Sequence, residues 1–264
     1  MKLFQIDSFT KELFKGNPAA VCVVDRGLTD LQMQQIAIEM NLSETAFVRI
    51  EKESCDLRWF TPAKEVPLCG HATLATSFVL FNEGYWLKER PIVFNTLSGK
   101  LIVTLNSDQS LSMDFPGSMP TISNESFSLD LEALFGGKIK EVLTVPNELI
   151  VIFESLETVL RTNPDSSVIS NLAVNGVIVS AWSDNDEYDF ASRYFAPNLG
   201  IKEDPVTGFM HTILTPYWST RTKKTTFKAY QASDRTGQLT TEMKGDRVIL
   251  KGNAIKVFET DFNV

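Results

Sequence analysis

Cys69-Gly70-His71-Ala72-Thr73-Leu74-Ala75-Thr76-Ser77-Phe78-Val79-Leu80-Phe81 is the stretch on which the fold turns. From Gly70 to Phe81 the residues are small or apolar on every side, without the polar stripe of a helix lying on a surface. The spacing predicts a helix over 70–81 that is buried all round.

Working outward, residues 55–60 read as a strand, followed by a loop over 61–68 with prolines at 62 and 67. Earlier strand-like runs cover 2–9, 18–25 and 45–50. Between the last two, Thr29-Asp30 caps a helix in which Met33, Ile36, Ala37 and Met40 recur at i, i+3, i+4 and i+7, and Asn41-Leu42 ends it. Downstream, 92–96, 100–106 and 110–115 form a meander with turns at Ser98-Gly99 and Ser107-Asp108. Pro116-Gly117-Ser118-Met119-Pro120 can sustain neither periodic structure and marks a domain boundary.

The second part repeats the first in outline. Strands at 141–145, 149–154 and 176–182, with a short helix near Glu157, lead to a strand ending at Phe195. A proline-bearing loop, a helix from about 206 to 218, and strands at 226–232, 247–252 and 255–259 complete it. In both halves a strand ending in an aromatic, then Pro, then an acidic residue, leads into an apolar helix. These are Phe60, Pro62 and Glu65 before Cys69, and Phe195, Pro197 and Glu203 before Asp204. The match points to a duplicated α+β unit.

The bulk properties agree with two ordinary domains. The chain has 264 residues, 43% hydrophobic and 22% charged, where single domains commonly run to roughly 100–200 residues. A formal charge of −8 argues against a nucleic-acid partner, which is held by clustered Lys and Arg; the short basic run at 221–224 reads as a solvated loop. No window reaches the length of a membrane span, and Met1 to Asp7 lacks the apolar core of a signal peptide, so a cytoplasmic protein is expected. Cys22, Cys55 and Cys69 are too few and too irregularly spaced for a disulfide framework or structural zinc. Cys22 and Cys55 read as inert core thiols.

Four segments could carry chemistry, each with a plainer alternative. Gly70 opens a helix whose unpaired N–H groups and partial positive end suit an anion such as a carboxylate. His71, in the first turn, is either a neutral proton donor or acceptor kept so by the helix end, or a core histidine holding a carbonyl. Asp204-Pro205-Val206-Thr207-Gly208 opens the second helix similarly, with Asp204 as N-cap or as a reacting group, Pro205 at the first helical position, and Thr207 and Gly208 as further backbone donors. Glu44, between a helix end and an apolar strand, is either a half-buried base or a surface-loop glutamate. Asn17 binds a carboxylate or closes the turn that opens a strand.

Together these segments resemble the PhzF-like, phenazine biosynthesis-like family of the diaminopimelate epimerase-like fold. The resemblance rests on 7–10 with 14–21, 41–47, 58–62, Glu65, 69–75, 193–197 and 200–208, in the family's order. It implies an α+β fold of two similar domains, 1–115 and 120–252, with 253–264 packing back onto the first. Each domain is a curled, mostly antiparallel sheet wrapped around a central helix, with the active site in the cleft between them. It further implies a homodimer and an isomerase that moves a proton next to a carboxylate on a small acid, without metal, flavin or pyridoxal phosphate. Glu44 takes the place of the general acid/base, with His71 and Asp204 as catalytic partners. Asn17, Gly70, Thr207 and Gly208 fall at substrate-binding positions.

Two departures from the pattern matter. The fold's two-thiol epimerases carry a second cysteine, but none lies near Asp204, so Cys69 reads as a packed helix-start residue. Phe209-Met210 stands where many members have Ser and Ala, which reshapes the pocket. A competing reading is a non-catalytic binding protein for a small anionic metabolite, with Phe209 blocking productive substrate.

Overall fold

The computed structural model describes residues 1–25, 27–123 and 130–263. The chain divides into two units, Met1–Phe115 with Ile249–Val264, and Pro116–Val248.

In the first unit the elements are β1 (Lys2–Ser8), β2 (Asn17–Val23), α1 (Asp30–Met40), β3 (Glu44–Ile50), β4 (Cys55–Phe60), β5 (Glu65–Val66), α2 (Gly70–Asn82), β6 (Ile92–Thr96), β7 (Gly99–Leu105) and β8 (Leu111–Pro116). The second unit holds β9 (Thr121–Ile122), α3 (Leu131–Phe135), β10 (Ile139–Val145), β11 (Glu148–Phe153), α4 (Leu156–Arg161), α5 (Ser166–Ser170), β12 (Gly176–Trp182), β13 (Phe190–Phe195), α6 (Gly208–Thr222), β14 (Thr226–Gln231) and β15 (Gly237–Lys244). β16 (Arg247–Gly252) contains the division, and β17 (Ala254–Asp261) returns to pair antiparallel with β1.

The pairing order repeats between the two units, in keeping with the repeat suggested by the sequence. In the first unit β1–β2 is antiparallel, β2–β3 parallel, β3–β4 antiparallel, β4–β6 parallel and β6–β7 antiparallel. In the second the same alternation runs through β10–β11, β11–β12, β12–β13, β13–β14 and β14–β15. Parallel neighbours need a crossover, and helices supply it at matching points: α1 and α2 in one unit, α4 with α5 and then α6 in the other.

α2 packs against β1, β2, β3 and β17. Leu74, Ala75, Val79 and Leu80 are wholly buried, and hiding a side chain of the Val or Leu class stabilises the fold by about 1.5–3 kcal/mol. α1 behaves as its stripe predicts, with Met33, Ile36 and Ala37 buried on Leu3, Cys22, Phe47 and Phe60. In the second unit β11, β12 and Phe195 close over Leu131, Phe135, Val159 and Ile169.

Several features depart from the sequence reading, the short helices α3 and α5 and the two-residue strands β5 and β9 among them. β15 was not anticipated, because its residues, GQLTTEMK, hold few large apolar side chains. α6 begins at Gly208 with Thr207 as N-cap, so Asp204 is not the cap and Pro205 is not the first helical residue. Thr207 is extended, at φ −109° and ψ 103°, because its N–H is taken by the Gln231 side chain, 2.7 Å away.

Candidate active site

In the first unit, three turns deliver three side chains to one place. Gly16 adopts φ +69°, and a Cβ there would sit 2.1 Å from the Ser8 carbonyl, so only glycine admits the turn that sets Asn17 at the start of β2. Asn41, left-handed at φ 50°, ends α1 and swings the chain so that Glu44 opens β3. Cys69 is the N-cap of α2, extended at φ −147°, which places His71 in the first helical turn.

Asn17 is wholly buried and His71 is 5% exposed. The Glu44 side chain keeps 19% of its exposure, and its Oε2 lies 3.2 Å from His71 Nε2. On the other side of the ring, Asn17 Nδ2 is 3.3 Å and Cys69 Sγ 3.5 Å from His71 Nδ1. Ser8 Oγ donates to the His71 carbonyl at 2.8 Å.

These contacts fix the state of the ring. Burial pushes the His71 imidazolium down to about 3, so the ring is neutral at ordinary pH; the cause is desolvation, where the sequence reading had invoked the helix end. An amide NH₂ can only donate, so Nδ1 is the acceptor and Nε2 carries the proton toward Glu44. That buried Nε2 makes no hydrogen bond of good angle, although the Glu44 carboxylate is close. Glu44 is therefore no surface-loop residue. Asn17, expected at a substrate-binding position, has its amide against His71 Nδ1, where it can orient the imidazole.

In the second unit the corresponding helix start is held by Gln231, the last residue of β14 and wholly buried. Its Oε1 accepts the Thr207 N–H at 2.7 Å, and its Nε2 donates to the Asp204 carbonyl at 2.8 Å and to Thr207 Oγ1 at 3.2 Å. Thr207 Oγ1 donates to Asp204 Oδ2, and the Asp204 N–H donates to the Tyr194 carbonyl at 3.0 Å. Asp204 and Thr207 are 8% and 7% exposed. The Thr207 N–H was expected to face an anion, but Gln231 already holds it. As the first helical residue, Gly208 has an N–H with no carbonyl one turn back. Phe209, next to it, is 46% exposed.

The two helix starts match residue for residue. Arg58 forks onto Glu65 at 2.7 and 2.8 Å and lies 5.2 Å from the Phe60 ring centre. Arg193 forks onto Glu203 at 2.7 and 2.9 Å and lies 4.9 Å from the Phe195 ring centre. Four residues after each acid stands the N-cap, Cys69 or Thr207, then a glycine. Thr73 Oγ1 donates to the Cys69 carbonyl, and His211 Nδ1 to the Thr207 carbonyl, at the same offset. His211 is thus the carbonyl-holding core histidine, and burial lowers it to about 4. Its place in the pattern belongs to Thr73, whereas His71 corresponds to Phe209.

Sequence reasoning missed Gln231 and Ser8. Ser8 lies inside a quoted motif and could have been found there, but nothing in TFKAYQ distinguishes Gln231 from any polar strand-end residue.

Comparisons with known proteins agree on one family. The model of the PhzC-PhzF family, phenazine biosynthesis-like protein, matches residues 6–260. The chain is 40% identical to an uncharacterized isomerase of Halalkalibacterium halodurans, over 98% of this chain and 97% of that one. It is 45% identical to an uncharacterized isomerase of Pseudomonas aeruginosa, over 96% and 95%. The crystal structure of a PhzF-family phenazine biosynthesis protein from Enterococcus faecalis superposes with a TM-score of 0.93 at 44% identity, covering 100% of this chain and 99% of that one. With its two matched helix starts and near-complete overlap with these relatives, the chain belongs to the phenazine biosynthesis-like PhzC-PhzF family and is an isomerase of that family.

Proposed function

We propose that this isomerase moves a proton on a small carboxylic acid without a metal or organic cofactor, with Glu44 as general acid/base. The observation that carries the proposal is the 3.2 Å approach of Glu44 Oε2 to the neutral, buried His71 Nε2 at the start of α2. A carboxylate in a half-buried place beside a neutral imidazole can accept a proton without being neutralised by an ion pair.

In this reading Glu44 takes the proton from the carbon next to the substrate carboxylate. The electron pair left behind spreads onto the carboxylate, which becomes enolate-like, and, in an acid with a C=C bond beside that carbon, along the C=C bond as well. Glu44 then returns the proton to the far carbon of that bond as the double bond shifts toward the carboxylate. His71 Nε2–H and the first N–H groups of α2, from Gly70 on, are fixed donors for the growing negative charge. In the second unit, Asp204, its carboxylate bonded to Thr207, is the proposed catalytic partner and the N–H of Gly208 a proposed backbone donor.

Replacing Glu44 with Gln keeps the shape and removes the base. Any acid that the wild-type protein isomerises is expected to be turned over roughly 10²–10⁴-fold more slowly by Glu44→Gln. Undiminished turnover in that variant overturns the assignment.

A further inference from the structure

Glu44, Cys69 and His71 reach the same point from the start of β3, the N-cap of α2 and the residue after Gly70. One ligand atom from each, a carboxylate oxygen, the sulfur and a ring nitrogen, lies within 4.8 Å of the other two. Tetrahedral zinc with bonds of roughly 2.0–2.3 Å holds neighbouring ligand atoms about 3.3–3.8 Å apart. The 3.2 Å approach of Glu44 to Nε2 is close to that spacing, whereas Cys69 lies 3.5 Å from the other ring nitrogen, Nδ1, so a gap of up to 4.8 Å has to close by about 1 Å for the sulfur to share an ion with Nε2.

A second observation points the same way. His71 is 5% exposed, and its Nε2, although 3.2 Å from Glu44 Oε2, makes no hydrogen bond of good angle. A buried imidazole nitrogen in that condition gains from any partner that satisfies it. Carboxylate, thiolate and imidazole together form a borderline-soft donor set, which favours zinc over magnesium or calcium. The two anionic ligands offset the partial positive charge of the helix start. Glu44 and Gly70 remain partly exposed, so a hydrated ion has a way in.

We propose that Glu44, Cys69 and His71 bind a thiophilic divalent cation of the zinc class, and that the bound cation removes Glu44 from proton transfer. On binding, the Cys69 S–H bond breaks, its proton goes to water, and an Sγ–metal bond forms. The Nε2 proton moves to Nδ1, where Asn17, turned end for end, presents its Oδ1 as acceptor, and Nε2 ligates the cation. Water completes the tetrahedron. The inhibitory half of the proposal rests on Glu44 being the base; the binding half does not.

Cobalt(II) is the probe, because a thiolate on cobalt gives a charge-transfer absorption. Wild-type protein is expected to develop that band at one cobalt per chain and to lose it when zinc is added. Cys69→Ser is expected to abolish the band, and His71→Asn and Glu44→Gln to weaken affinity at least roughly tenfold, with folding checked by circular dichroism. The double variant Cys22→Ser/Cys55→Ser serves as control, since burial raises those thiols to about 12 and about 11 and their loss is expected to leave the band intact. A band that persists in Cys69→Ser, or none in folded wild type at millimolar cobalt, overturns the site. If zinc displaces cobalt from Cys69 while isomerisation continues undiminished, the cation site stands and the inhibition, with Glu44 as base, falls.

Discussion

Asn17 Nδ2 lies 3.3 Å from His71 Nδ1, and Asn17 Oδ1 faces Ser43 Oγ at 3.5 Å. The amide is therefore oriented with its donor end on the ring, and this sets the imidazole tautomer that faces Glu44. Asn17→Asp presents an acceptor to Nδ1 and selects the opposite tautomer. Its expected effect is a fall in kcat of roughly a hundredfold with KM little changed, measured by steady-state kinetics beside the nitrogen shifts of His71. Unchanged kinetics with unchanged shifts count against the tautomer assignment.

Gln231 holds both sides of the second helix start. Gln231→Ala leaves the Thr207 N–H and the Asp204 carbonyl buried without their partner, and each unsatisfied buried group costs about 1–3 kcal/mol. The denaturation midpoint is expected to drop accordingly. Turnover is expected to fall further than the lost stability explains, because Asp204 loses its tether; a stability loss with full activity contradicts that tether.

Glu148 provides a pH test. It is 3% exposed, accepts from Tyr194 Oη at 2.9 Å and Asn175 Nδ2 at 3.3 Å, and burial raises it from 4.5 to about 7. Because the folded value lies above the unfolded one, ionisation disfavours the fold. Its stabilising effect is present in full below about 4.5 and is lost as pH rises through about 7. Glu148→Gln cannot ionise, so its melting temperature relative to wild type is expected to climb from acid pH to pH 8. A difference independent of pH shows that Glu148 does not titrate as described.

The duplicated Arg–Glu forks differ in burial, which separates their energetics. Arg193 and Glu203 are 8% and 12% exposed, Arg58 and Glu65 33% and 25%. Removing one member of a buried pair costs about 3–5 kcal/mol, whereas exposed pairs contribute about 0–1 kcal/mol. Glu203→Gln is therefore expected to destabilise the protein well beyond Glu65→Gln in chemical denaturation, and equal effects contradict the burial argument.

The legible part of the sequence was periodic or repeated. The apolar circumference of 70–81 announced α2, the stripe on Met33, Ile36, Ala37 and Met40 announced α1, and the aromatic–proline–acid series announced the duplication. Asp204 was misread because Pro205 imitates a first helical residue, while the group that sets the true start at Thr207, Gln231, lies 24 residues beyond it. The neutrality of His71 was anticipated, but its cause was not, since burial is a property of packing that a helix-start motif does not carry. β15 was hidden because its solvent-facing half is as polar as a loop.

Proton transfer by Glu44 is the central claim, and isomerisation in deuterated water tests it most directly. For an acid that the protein converts, wild type is expected to place deuterium at the carbon that gains the proton or in recovered substrate, and Glu44→Gln to do neither at a measurable rate. Deuterium incorporation by Glu44→Gln at the wild-type rate contradicts the account.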